Sequence, residues 1–468
     1  MSSEMLNRRT FLKRLAFSLG AAALAGCAPK VVEKIVKETV VVEKEKEVEK
    51  IVEKTVVVEK VKDVVILRMH SRLGDAQRKV YDDSIRRMQE AYPHVKVNVE
   101  EFPAGSAEYG PKIAALVAGG AVGDITWNAI GTGSFQFLAG NKALAPLDDL
   151  IAADTSGFTL DAFYPRVVKA FRMGPGGQGT GELMGLPTLA HGVNVCLFFN
   201  RDLIEKEGLE PPTDDWTRDQ LVELAKKLTK DGRFGFLPVT GDYSNLRNQT
   251  LPYGGEILSP DGTKSQLEDE KVKQGLRWVY DCFFTHKVAP TAQQITGNVD
   301  QMFLAGKLAA WQSGGWGLVT CRNVVKDSFK WDMVLMSKGP AGNRGGHLHA
   351  DSFAITTLSK NKQLAYELCK FLTDKEAGVG FGSLMGLACR FDVFQDPRIT
   401  KDPLLVKVGK STEEAFDHLG PANLRKQELQ TTVAAIFGPV WTGDKKLDDA
   451  FFAEASKTLQ AFLDKKFE

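Results

Sequence analysis

From Asp63 onward, short apolar runs alternate with amphipathic stretches, and that alternation restricts the chain to an α/β fold. Val64–Met69 is a nearly continuous apolar run, the pattern of a strand buried on both faces. A helix is predicted around Gln77–Ala91, where Val80, Ser84, Ile85, Met88 and Ala91 recur three and four residues apart. Pro93 stops it, and Val95, Val97 and Val99 then alternate as a half-buried strand. A second helix around Lys112–Ala118, a Gly119-Gly120 break and a strand at Ile125–Trp127 complete a β-α-β-α-β unit. Such a unit implies a parallel sheet with right-handed crossovers.

The alternation continues downstream. Thr217–Leu228 places Leu221, Leu224, Ala225 and Leu228 on one helical face and is closed by Gly232. Leu364, Leu368, Phe371 and Leu372 mark a helix at Gln363–Leu372, and Ala450–Phe462 is helical again. Strand-like Val193–Phe199 and Phe353–Thr357 fall between helices. No region is helix-only or strand-only, so two α/β lobes are the economical architecture for 468 residues. With 43% hydrophobic and 25% charged residues, the body reads as globular, with no membrane span expected in it.

Ahead of the body stand two export motifs and a repeat. Asn7-Arg8-Arg9-Thr10-Phe11-Leu12-Lys13 resembles a twin-arginine signal, and Phe11–Ala25 is apolar but too short to span a bilayer comfortably. It ends in Leu24-Ala25-Gly26-Cys27, which looks like a lipobox, where a soft thiol nucleophile takes the diacylglyceryl group. The expectation is an extracytoplasmic protein, cut before Cys27 and lipid-anchored to the cell membrane. Val32–Lys44 then recurs at Val48–Lys60, with only the Lys37-Glu38 pair reversed. Residues 30–62 hold nine Lys against eight Glu and no aromatic, so they cannot build a core. Val-Val-Val triplets break a heptad, which argues against a coiled coil. The segment reads as a spacer of about 100 Å at ~3.3 Å per residue.

Charge and cysteine usage exclude several function classes. The chain carries +1, and its first 26 residues hold four basic side chains against one acidic, leaving −2. That balance gives no footprint for nucleic acid. Besides Cys27 there are five cysteines, an odd set without metal-like spacing and mostly in apolar runs. They read as buried free thiols, which suits export of an already folded chain; one disulfide, Cys282–Cys321, is the alternative. Gly306-Lys307 lacks the rest of a phosphate loop, and Gly174–Gly179 follows no strand and reads as a flexible loop. There is no Gly-x-Ser-x-Gly elbow. Ser359 or Asn361, Asp148-Asp149 and Asp214-Asp215 read as helix caps and not as catalytic groups. His347-Leu348-His349 with Asp351 is the one metal-like group, and a third regularly spaced ligand is missing. No metal or cofactor is expected.

Several segments, taken in order, resemble the extracellular solute-binding proteins of ABC importers, in the sugar-binding group that includes the maltose-binding protein. They are Gly123-Asp124-Ile125-Thr126-Trp127, Ala143–Asp148, Gly185-Leu186-Pro187, Leu197–Leu203, the Asp215-Trp216-Thr217 helix start, and Phe303–Ala310 leading to Gly314-Gly315-Trp316. The resemblance covers Asp63 to Phe467. It implies two α/β lobes joined by chain crossings, with a ligand held between them. The first lobe would hold 63–190 and 333–372, the second 191–332 and 373–468. It further implies a non-enzymatic, monomeric receptor for a carbohydrate, working with the membrane subunits of an importer.

Sugars need flat aromatic faces for their C–H surfaces and planar polar groups for their hydroxyls. Trp316 matches the family's stacking tryptophan, with Gly314 and Gly315 before it to let the backbone approach the ligand; Trp216, opening a helix, is assigned to core packing. Asn128 and Thr132 lie in the loop after a strand end, where such sheets bind ligands, as do His70, Ser71 and Arg72. His191 sits near the first crossing, and His349, Asp351 and Ser352 near another. Tyr243, Asn245 and Arg247 fall in a family contact region. Gly131-Thr132 replaces the charged pair of maltose-binding relatives, and Gly386-Leu387-Ala388-Cys389-Arg390 lacks their proline, which argues against maltodextrin. The alternatives are a secreted carbohydrate hydrolase or lyase and a metal-binding lipoprotein.

Overall fold

A computed structural model describes residues 63–72, 75–102, 109–416 and 425–465; the export motifs, Cys27 and the 30–62 repeat lie outside the described residues. Strand β1 (Val65–Arg72) leads through α1 (Asp75–Ala91) to β2 (Val95–Phe102), which runs parallel to it. Helix α2 (Tyr109–Ala118) then returns the chain to β3 (Ile125–Ala129), parallel to β1 on its other edge. The predicted β-α-β-α-β unit is present. Helix α3 (Ser134–Gly140) follows β3.

Gly174–Gly179 departs from the expected flexible loop. Arg172–Gly174, Gly177–Gln178 and Glu182–Leu183 (β4–β6) form a small antiparallel sheet. Gly177 and Gly179, at φ 88 and 89, supply the left-handed turn residues it needs. The chain then enters β7 (Leu186–Gly192), and β11 (Leu348–Ile355) later inserts antiparallel between β3 and β7. The first sheet therefore has the order β2-β1-β3-β11-β7. The second sheet centres on β8 (Cys196–Asn200), flanked antiparallel by β9 (Ala310–Ser313) and β10 (Trp331–Leu335).

Helices α4 (Arg218–Leu228), α5 (Tyr243–Thr250) and α6 (Glu270–Phe283) cover the second sheet's outer side. Thr217 does not begin α4 but caps it, in a reciprocal box with Gln220. The other expected caps are long-range ties. Asp148 accepts from Leu183 N at 2.7 Å, Asp214 from Leu335 N at 2.8 Å, and Ser359 donates to Asp124 at 2.6 Å. Asp148 and Asp214 thus serve backbone N–H groups of distant elements, while Ser359 also accepts from Asn361 N at 3.1 Å, and Asn361 stands at the N-cap of Lys362–Thr373 without a side-chain bond.

Packing also moves the expected lobe boundaries. His191 and Gly192 remain in β7, and the whole of β10 pairs with β8, so Met333 starts no first-lobe segment. Helices α7 (Lys362–Thr373), α8 (Lys375–Met385) and α9 (Pro403–Glu414) all lie on the first sheet. Phe381 of α8 meets Tyr81 of α1 at 4.9 Å, and Thr412 of α9 donates to Ala190 O of β7. Only α10 (Lys426–Trp441) and α11 (Asp449–Leu463) of the late segment join the second core, through Val433, Phe437, Phe452 and Leu459.

Strand β8 shows how one sequence serves two packing layers. Leu197 and Phe199 point into the second core, while Cys196 and Phe198 face a layer continuous with the first core. The Phe198 ring is stacked on Trp311 at 5.3 Å. All five described cysteines are free and buried. Trp216 is half-buried against the second core, as expected. Because Phe198 is fully buried, Phe198→Ala should cost about 3–5 kcal/mol in urea unfolding. A cost under about 1 kcal/mol would show that this layer tolerates a void.

Candidate functional site

Three chain crossings join the sheets, and they are bonded side by side. Val193 N donates to His347 O at 3.0 Å, Leu348 N to Phe416 O at 2.7 Å, and Phe416 N to Gly346 O at 2.9 Å. The candidate site lies where this ribbon meets the ends of β3, β7 and β11.

On the first-lobe side, β7 and β11 pair His191 directly with His349, their rings 5.2 Å apart. His349 and Asp351 share one face of β11 and meet at 2.8 Å. Gly131 in the loop after β3 abuts the same ring: a Cβ there would fall 2.0 Å from His349 Nδ1, so any larger residue would displace the imidazole. His191 is buried against Gly192 O at 3.1 Å, and burial, reinforced by His349, pulls its imidazole down to about 3. His347 turns instead to Asn248, at 2.8 Å, and burial holds it well below its ordinary value. With His347 and His349 on separate partners, they do not form the metal-like pair their spacing suggested. Among the described residues no group of three His, Cys, Asp or Glu is arranged to hold a metal.

The second-lobe wall carries Trp316, whose ring stands edge-to-face on His191 at 5.5 Å and is 39% exposed, in contrast to Trp311 and Trp441 beside it. The preceding glycines serve the fold: a Cβ at Gly314 would strike the Trp316 ring at 2.1 Å, and one at Gly315 the Met385 carbonyl at 2.5 Å. Gly315 thus approaches α8 closely. A cavity of about 360 Å³ opens beside Trp316, lined by Trp311, Trp441, Asn194, Thr240 and Gln312. Its amides are aligned by their neighbours: Gln312 donates to Asn194 O at 2.8 Å, and Asn194 to Asn245 at 2.7 Å.

Other expected residues fall differently. His70 is fully buried, its Nε2 accepting from Gly123 N at 2.8 Å and its Nδ1 facing Glu100 at 3.1 Å, so it braces a turn. Asn128 is inside β3 because β11 pairs with it at Ser352; its amide nitrogen donates to Thr126, while its Oδ1 is buried without a hydrogen-bond partner. The Thr132 hydroxyl lies 3.1 Å from Ser134 Oγ at the start of α3. Arg72 stacks over Trp127 at 5.5 Å and feels Asp351, so it does reach the site's edge. Tyr243 is buried at the start of α5, and Arg247 grips Glu256 with two bonds of 2.7 and 2.5 Å.

Two cleft residues escaped the sequence reading. Lys426 and Gln430, one turn apart on α10, reach the carbonyls of Ile130 and Gly131. Their signal is a polar start to the stripe that continues as Val433 and Phe437.

The profile of the family described as bacterial extracellular solute-binding protein matches residues 75–379. A galactooligosaccharide-binding protein of Bacillus subtilis is 25% identical over 273 residues, which are 56% of this chain and 62% of that one. The chain therefore spans less than two thirds of that relative. An ABC substrate-binding protein from Listeria monocytogenes, solved in complex with cycloalternan, superposes with a TM-score of 0.75 at 20% identity, covering 86% of this chain and 100% of the other. The GacH receptor of Streptomyces glaucescens, solved unliganded and with acarbose, gives 0.72 at 20%, with 86% and 100% covered. At such identity the likeness is one of fold: two α/β lobes with a cleft between them.

The buried histidines make the folded state sensitive to acid. An imidazole held near 3 in the fold and near 6.5 in the unfolded chain leaves stability intact above about 6.5 and erodes it as pH falls. From pH 6.5 to 5, His191 alone should cost roughly 2 kcal/mol. Urea unfolding at both pH values should show a smaller loss for His191→Asn; an equal loss in both proteins would place the acid sensitivity elsewhere.

Proposed function

The chain belongs to the bacterial extracellular solute-binding protein family, and on that premise we propose that it captures a carbohydrate between its lobes and presents it to the membrane subunits of an ABC importer. The observation that carries this reading is Trp316, a large indole left 39% exposed beside a cavity lined by two further indoles and by amides. An aromatic face suits the C–H surface of a sugar ring, and planar amides suit its hydroxyls. The ligand drives closure only by the difference in its affinity for the closed and open forms.

The protein acts as a monomeric receptor without turnover, and it is tethered. Cys27 carries the lipid, and residues 30–62 hold the body off the membrane. No described helix is long and apolar enough to cross a bilayer, so attachment through the lipid is the arrangement the motifs favour.

A thermal-shift screen of the protein against mono- and oligosaccharides should find one class that stabilises it, by ~2.7 kcal/mol at 100 times the dissociation constant. For that class, Trp316→Ala should weaken binding by roughly 1–3 kcal/mol in calorimetry, and unchanged affinity would remove Trp316 from the site. Product release from any saccharide on prolonged incubation would favour a hydrolase or lyase instead. In cells, Cys27→Ser should move the protein out of the membrane fraction; a variant still sedimenting with membranes would refute the lipid tether.

A further inference from the structure

Helix α10 packs its apolar stripe into the second core, yet its first turns rest on the first lobe. Lys426 Nζ donates to Ile130 O at 2.8 Å, and Gln430 Nε2 to Gly131 O at 3.1 Å. Gln430 also holds its own lobe, donating to Ser244 Oγ at 2.8 Å and accepting from Ser244 N at 3.0 Å. Gly133 completes the seat, since a Cβ there would lie 3.2 Å from Lys426 Cβ. One lysine and one amide therefore bridge the cleft between loop 130–133 and α10.

The charge on Lys426 is poorly compensated. The side chain is 5% exposed. The groups facing it are Arg247 of α5, Asp242 at that helix's N-cap, and His347 on the second crossing. Asp242 is occupied in capping, accepting from Asn245 N at 2.9 Å, and Arg247 is held by Glu256. Helix α3 has no ionisable side chain, and Arg425 at the N-cap of α10 pairs with Glu428. Burial accordingly pulls the Lys426 ammonium down to about 7, with Arg247 pushing the same way and Asp242 opposing.

We infer that Lys426 and Gln430 are the latch of the closed form, and that seating Lys426 on loop 130–133 takes its ammonium out of water, so that closing releases a proton. This rests on the reading that the lobes open and close around a ligand. In the open form Lys426 meets water and titrates near 10.4. Below about 7 both forms keep the proton and pH has no effect. Between about 7 and 10 the closed form loses it first, and closure gains about tenfold per pH unit.

The test measures distances between spin labels on Lys79→Cys in α1 and Lys227→Cys in α4, in a Cys27→Ser background, because the five remaining cysteines are buried. No saccharide is added. The closed-to-open ratio should rise about tenfold per pH unit from 7 to 9, and Lys426→Met, or Lys426→Gln should the first variant not fold, should remove that dependence. Gln430→Ala should lower the ratio at every pH while keeping the slope. A wild-type distance independent of pH, or the same slope without Lys426, overturns the latch. Neither result bears on whether the cleft takes a carbohydrate, which the saccharide screen decides separately.

Discussion

The hydrogen-bonded ribbon of three crossings is the constraint on which the rest of the molecule depends. Val193, His347 and Phe416 belong to chain segments more than 60 residues apart, yet their backbones are bonded as neighbours. A ribbon tied in this way resists sliding and leaves bending as its soft motion, which is the geometry of a hinge. It also sets the site. Because β7 and β11 enter the ribbon paired, His191 and His349 come side by side, and His347 on the ribbon is anchored to α5 through Asn248. A pair of lobes joined by one linker would fix none of these contacts.

Around that ribbon the cleft is built mainly from neutral donors and acceptors. Arg247 is matched by Glu256, and Asp351 by His349 with Arg72 nearby. The imidazoles of His191 and His347 are kept uncharged by burial. Such an arrangement keeps the walls rigid, and the buried Lys426 is the exception to its charge matching. Trp316 fits the same logic, because its neighbours fix its orientation while its face stays open to a guest.

Much of this was legible in the residue order, and the exceptions have physical causes. The β-α-β-α-β unit, α4 and α7 follow from periodicity, since their apolar faces are set by local spacing. Trp316 stood out through the resemblance to the solute-binding family and not through spacing. Asn128 was misplaced because β3 is prolonged by β11, a strand arriving more than 200 residues later. His70 looked like a loop residue, but β1 extends to Arg72 and buries it. The lobe boundary at Met333 failed because β10 and β8 pair over their full length. Lys426 and Gln430 stayed hidden because a polar helix start is ordinarily solvated, and only the loop opposite makes it a contact.

The magnitudes explain why a latch of this kind does not hold the lobes shut unaided. Moving a lysine from about 10.4 in water to about 7 in the seat disfavours closure at pH 7 by roughly 4 kcal/mol relative to strongly basic solution. The two bridging bonds contribute about 1–3 kcal/mol each at most, the upper value only where the donor is charged. The terms are of similar size and opposite sign, so the latch by itself contributes little net closure at neutral pH. A full switch between 1:99 and 99:1 takes about 5.5 kcal/mol of differential binding. On the function proposed above, a guest bound in the cavity beside Trp316 is then the component that decides the state. A receptor whose latch closed it without cargo would present an empty message to its importer, and the buried lysine works against that outcome.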